Sequence, residues 1–158
     1  MHRSRLHVLF FVFLVACGGS QKAPAGTPPP NVTSVEIYQA DDWRAEMAHL
    51  EEPKTTLIRF TGNESDIDGV PLVYRYETTD YGKRWVTQMK GEERSVLYAM
   101  RNAVSGEAPW RLHAPNSRDN RFAQQIQDVP PELGSEIASQ YARLLDAGEI
   151  DRITKASD

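Results

Sequence analysis

Two sets of residues in this chain have the types and spacing that chemistry needs. The first is a lone thiol, Cys17, placed directly after the apolar run 8–16. With no second cysteine in the sequence it has no disulfide partner within the chain and cannot help to build a thiolate metal site. The second set is Trp110, Arg111, His113, Arg118 and Arg121, with Phe122 beside them, the one local concentration of basic and aromatic side chains. Guanidinium groups grip carboxylates and phosphates in bidentate fashion, so this segment is a candidate binding surface for an acidic partner or an anionic polymer. The competing role is structural, with Trp110 and Phe122 plugging the edge of the core beneath a surface loop.

Other groupings are weaker. Beyond the first seventeen residues only His49 and His113 offer an imidazole, and no Gly-x-Ser-x-Gly elbow accompanies them. Zinc has too few nitrogen ligands and no thiolate. Glu92 and Glu93 are adjacent, so on a helix their side chains diverge by about 100° and cannot flank one glycosidic bond. Glu64, Asp66, Asp68 and Gly69 fall at the first, third, fifth and sixth positions of an EF-hand-like loop, but the twelfth is Arg75 where calcium needs a bidentate Glu. A solvated connection between strands describes that loop better. The expectation is therefore no catalytic residue, no metal and no cofactor.

The elements that must position these groups follow from periodicity. Val35 and Ile37 alternate with Ser34 and Glu36, a strand pattern. Asp41 and Asp42 suit a helix start, with Trp43, Met47 and Leu50 at helical spacing and Pro53 as the stop. Thr55 to Gly62 predicts a strand with Thr56, Ile58 and Phe60 on one face and Arg59 and Thr61 on the other. Leu72 to Thr79 and Lys83 to Lys90 predict a hairpin. With Tyr81-Gly82 as its loop, Tyr76 pairs with Thr87 and Thr78 with Trp85. Leu72, Tyr74, Tyr76, Trp85 and Met89 then share one face. Glu92 to Ser105 predicts a helix with a stripe of Val96, Leu97, Met100, Ala103 and Val104. Trp110 falls in a connector, Phe122 to Gln127 in a short helical turn. A last helix opens at Pro131, carries Leu133, Ile137, Tyr141, Leu144 and Leu145, and ends at Gly148, with one further turn at Ile150 and Ile153. The expected class is α+β: a small antiparallel sheet of three or four strands, including the 72–79/83–90 hairpin, packed on one face by the 92–105 and C-terminal helices.

The start of the chain has its own logic. Arg3 and Arg5 precede the apolar run without any acid, and small residues close it, as in an export signal. The run is shorter than the roughly 20 residues that a membrane-spanning helix needs. Leu14-Val15-Ala16-Cys17 resembles the lipobox of bacterial lipoprotein signal peptides. That resemblance implies cleavage after Ala16, a diacylglycerol on the Cys17 thiol and acylation of the new amino terminus. Because Gly18 rather than Asp follows the cysteine, it also implies the periplasmic face of the outer membrane over the inner membrane. Residues 17–31, rich in Gly and Pro, then form a tether, and 32–158 one globular domain.

Charge narrows the partners. The chain holds 18 Lys+Arg and 22 Asp+Glu, a formal charge of −4. Arg3 and Arg5 leave with the leader, so the mature chain is more acidic still and a poor ligand for nucleic acid. The expected partners are the membrane, through acylated Cys17, and an envelope protein. The expected function is a membrane-anchored lipoprotein presenting a non-catalytic interaction or structural domain. The alternative is a small envelope hydrolase or ligand-binding carrier, which a deep cleft around His113 and acids would favour.

Overall fold

A computed structural model of the chain describes residues 26–62, 67–80, 82–100, 109–115 and 119–155. Among the described residues nine strands form one antiparallel sheet: β1 (Val32–Ala40), β2 (Trp43–Leu50), β3 (Thr55–Thr61), β4 (Pro71–Thr79), β5 (Gly82–Met89), β6 (Glu92–Met100), β7 (Trp110–His113), β8 (Asn120–Phe122) and β9 (Gln124–Ile126). The order is β8-β7-β6-β5-β4-β3-β2-β1-β9. Only Ala123 separates β8 from β9, yet they lie at opposite edges of that order. The edges must therefore meet, and the sheet curls into an almost closed barrel. Ala123 marks the crossing: its N–H donates to the Trp110 carbonyl at 2.9 Å, and Gln124 pairs with Gln39 of β1 one residue later. Curling of this kind shortens the exposed strand edges that invite aggregation.

The small helix-covered sheet expected from the sequence is thus corrected to a nine-stranded, barrel-like one with two helices, α1 (Leu133–Asp146) and α2 (Glu149–Thr154). Two segments carry the difference. The residues from Glu92 onward form a strand because Lys90 (φ 50°) and Gly91 (φ 78°) make a two-residue turn with both centres left-handed, which returns the chain alongside β5. The helix-like neighbours Val96 and Leu97 are both buried because the β5–β6 register shifts between Arg84 and Val86, leaving two residues of β6 opposite Trp85. Residues 101–105 of the expected helix lie outside the described residues. The helix expected at Trp43 to Leu50 is β2. Trp43, Ala45 and Met47 turn into the barrel while Ala48 is buried on the opposite face, and burial on both faces hides the alternation of a strand. The helical turn expected at Phe122 to Gln127 is β8 and β9.

The hairpin of β4 and β5 shows a subtler difference. Thr79 pairs with Gly82, so Tyr76 faces Trp85 and Thr78 faces Lys83. That shifts the predicted pairing by two residues, which keeps every side chain on its face. Gly82 opens β5 at φ 153°, and a Cβ there would lie 1.9 Å from the Ala99 carbonyl oxygen, so β6 closes on this strand only because a glycine stands there.

The inward face builds one apolar core from Tyr38, Trp43, Met47, Ile58, Phe60, Leu72, Tyr74, Trp85, Leu97 and Leu112, among others. At the end marked by the β1–β2 and β5–β6 turns this core is completed by Ile67, Ile150 and Ile153. The Lys90 N–H donates to the Thr154 carbonyl at 3.0 Å, so α2 plugs that end. α1 lies outside, with Leu133, Ile137 and Ala138 against Ile37, Ala48 and Leu57. It is latched by Arg59. The guanidinium meets Glu46 at 2.6 Å, Glu136 at 2.7 Å and Gln140 at 2.9 Å, with Glu46 only 7% exposed. Burial works against the charge on Arg59, but the hydrogen bonds to Glu136 and Glu46 prevail and hold it above its usual range. The chain leading into β1 also docks here, since the Thr27 N–H donates to the Asp146 carboxylate at 3.0 Å.

Candidate functional site

β7 runs through the predicted basic and aromatic cluster and divides it. Successive strand residues point to opposite faces, so Trp110 and Leu112 turn inward while Arg111 and His113 turn outward. Arg121 belongs elsewhere again: its guanidinium lies 4.1 Å over the Trp43 ring and pairs with Asp42 and, at 3.7 Å, Asp41. Arg118 and Cys17 lie outside the described residues. The four described residues of the cluster, Trp110, Arg111, His113 and Arg121, therefore contribute to three different surroundings.

On the outer face, Arg111 stacks 4.1 Å above the Phe122 ring and donates to the Asn120 side-chain oxygen at 2.8 Å. His113 Nδ1 lies 3.2 Å from the Ser95 hydroxyl, and the Tyr98 ring meets its imidazole edge-on at 6.2 Å. A shallow depression of about 630 Å³ is lined by Arg84, Ser95, Tyr98, Met100, His113 and Asn120. Met100 (51% exposed) and Phe122 (65%) are the exposed large apolar side chains of the described residues.

Trp110 leads to the other site, the barrel end opposite α2. Four rings follow one another there: Tyr76 to Trp85 at 4.9 Å between centroids, Trp85 to Trp110 at 5.6 Å, and Trp110 to Tyr38 at 5.3 Å, each tilted by 49–60° to the next. They line a cavity of about 380 Å³ together with Glu36, His49, Lys54 and Lys83. The residues arrive from six strands because inward positions alternate: Glu36 and Tyr38 on β1, His49 on β2, Thr56 on β3, Tyr76 on β4, Lys83 and Trp85 on β5, Trp110 on β7.

Hydrogen bonds fix the polar floor. The indole N–H of Trp85 donates to Thr56 Oγ1 at 3.2 Å, and that hydroxyl lies 3.0 Å from His49 Nδ1. His49 Nε2 is 3.4 Å from Glu36 Oε2, to which the Tyr38 hydroxyl also donates at 3.3 Å. The Thr56 hydroxyl bridges the two rings, accepting from the Trp85 indole while lying against His49 Nδ1. The His49 hydrogen bond holds the Glu36 carboxyl below its ordinary range against the opposing effect of burial, and the Tyr38 hydroxyl further favours the ionised form. Burial, reinforced by the Glu36 charge, pushes the Tyr38 phenol upward. Tyr38 stays protonated and stays a donor.

Acid, imidazole and hydroxyl in sequence suggest an activated nucleophile, and the geometry answers that suggestion. Thr56 is 1% exposed and its oxygen already accepts from Trp85, so it cannot approach a substrate carbonyl. Among the described residues no group of three His, Cys, Asp or Glu could hold a metal ion, and no helix is long and apolar enough to cross a membrane. What the barrel end offers is a concave aromatic surface on which the Trp85 and Tyr38 polar tips are already engaged, which is the build of a binding site. The available signal for it was the alternation of Glu36 with Tyr38 and of Lys83 with Trp85. The helical reading of β2 concealed His49.

Comparison with known proteins finds no matching family, no matching curated sequence and no matching solved structure.

Proposed function

We propose that this chain is a lipid-anchored, non-catalytic protein of the bacterial cell envelope that holds a partner protein on the outer face of β6, β7 and β8. The anchor is Cys17, on the strength of the resemblance of Leu14-Val15-Ala16-Cys17 to a lipobox, and the favoured location is the periplasmic face of the outer membrane. The observation that carries the binding role is the exposed pair Phe122 and Met100, with Arg111 stacked on Phe122. Exposed aromatic and methionine side chains beside an arginine form the kind of anchor on which interface energy concentrates. The engaged Thr56 hydroxyl supports binding over hydrolysis. Tethering adds effect without new contacts, because two proteins confined to one membrane meet at high effective concentration.

Site-specific photocrosslinking in intact envelopes tests this reading, with the crosslinker at Phe122 and a control at exposed Lys155. A discrete adduct at Phe122 that Arg111→Glu abolishes is the expected result. Adducts no different between Phe122 and Lys155 would remove the outer face as the partner surface.

A further inference from the structure

We propose that the open barrel end is a second site, sharing Lys83 with the rim of the outer depression, that binds a small organic anion with a flat apolar body. The body would lie against Trp110 and Tyr76, the two half-buried rings of the aromatic wall, over a floor of Trp85 and Tyr38. The cavity of about 380 Å³ is at the small end of the range for ligand pockets, which fits a body of one or two rings rather than a polymer.

The sign of the ligand charge follows from which groups are already occupied. The acidic and basic side chains lining the cavity are Glu36, His49, Lys54 and Lys83. Glu36 is engaged with His49 and Tyr38, and His49 with Glu36 and Thr56. Neither lysine has an ion-pair or hydrogen-bond partner for its ammonium group among the described residues. The two approach from either side of β4. The Lys54 carbonyl accepts the Tyr76 N–H at 2.8 Å, and Lys83 pairs with Thr78. Two strand spacings across and two residues along the sheet separate their backbones by about 12 Å, within the converging reach of two flexible lysine stems. The indole N–H of Trp110 adds an uncharged donor at the same wall. The free groups are thus mostly donors and the free charges positive. A carboxylate or phosphate head matches them, whereas a quaternary ammonium would meet the aromatic wall only beside two like charges.

Isothermal titration of the chain as isolated from its host, in lipid nanodiscs where it carries lipid and referenced to protein-free controls, decides the matter. The probes are 2-naphthoate, its neutral isostere 2-naphthylmethanol and the cation 2-naphthylmethylammonium. Naphthoate should bind at least about tenfold tighter than the alcohol, the ratio expected when a single charge-assisted hydrogen bond is gained. The double variant Lys54→Gln/Lys83→Gln, exposed positions whose change leaves the core intact, should erase that preference while the alcohol binds as before. Equal or tighter binding of the alcohol or the ammonium overturns the assignment of charge. Absence of binding by all three overturns the site itself. Neither result bears on the crosslinking at Phe122, which samples the opposite face of the wall.

Discussion

Replacing Thr56 by valine tests the polar floor of the barrel end with almost no change of shape. Valine keeps the β-branch and the volume, so the strand and its packing persist, and only the hydroxyl is lost. Two groups then lose a partner. The Trp85 indole N–H sits on a residue 6% exposed, and water cannot replace the 3.2 Å bond it makes to Thr56. His49 keeps about a quarter of its side chain exposed, so its Nδ1 can recruit water at smaller cost. A buried donor left unsatisfied costs about 1–3 kcal/mol. With one such donor fully orphaned and one acceptor partly so, Thr56→Val should destabilise the fold by about 2 kcal/mol. Equilibrium urea unfolding followed by tryptophan fluorescence measures it, as a lower midpoint at an unchanged slope. The emission of Trp85 should shift at the same time, because its N–H loses its acceptor. A loss below about 0.5 kcal/mol would refute the reasoning, since valine is then as good as threonine and the hydroxyl organises nothing.

Further perturbations probe the other supports of the fold. Glu46→Ala removes the carboxylate that meets both Arg59 and Arg44. It should cost about 2–4 kcal/mol by thermal or urea unfolding, toward the lower side because Glu136 still holds Arg59. Ile153→Ala opens a cavity in the plugged end of the barrel and should cost about 2–4 kcal/mol, read as a shift in the urea midpoint. Gly82→Ala should destabilise by at least about 1 kcal/mol and weaken hydrogen-exchange protection along β5 and β6, because the new Cβ collides with the Ala99 carbonyl. The depressed Glu36 carboxyl adds stability that is fully present above its unfolded value of 4.5 and is lost as pH falls through the lower folded value. Glu36→Gln should therefore flatten the acid limb of the stability–pH curve below about pH 4.5.

Local chemistry made some elements legible. Pro131 and Gly148 bracket α1, and its stripe of Leu133, Ile137 and Tyr141 has no competing reading as a strand. The faces of β3, β4 and β5 follow from their alternation, with Thr56, Ile58 and Phe60 turned inward as the pattern predicts. The hairpin register was less accessible, since slipping by two residues leaves both faces intact and only the turn distinguishes the alternatives. Glu92 to Met100 misled for a physical reason. Its acids and aliphatics suit a helix, and only pairing with β5 across the Lys90-Gly91 turn overrides that preference. The same override fixes β2, whose two buried faces erase the period of two. β8 and β9, three residues each, carry no periodic signal and exist because barrel closure provides partners for them. The candidate surface suffered most. Treated as a loop, Trp110, Arg111 and His113 could converge, but a strand sends them to opposite sides and gives Trp110 to an aromatic wall drawn from distant strands.

The central functional claim is attachment through Cys17, because it decides which partners either surface can meet. Intact-mass and peptide mass spectrometry of the mature protein from its native envelope tests it directly. A chain that begins at Cys17 and carries a thioether-linked diacylglycerol with an acylated amino terminus is the predicted result, and Cys17→Ala should release the protein from the membrane. An unmodified chain, or one still bearing residues 1–16, would contradict the account.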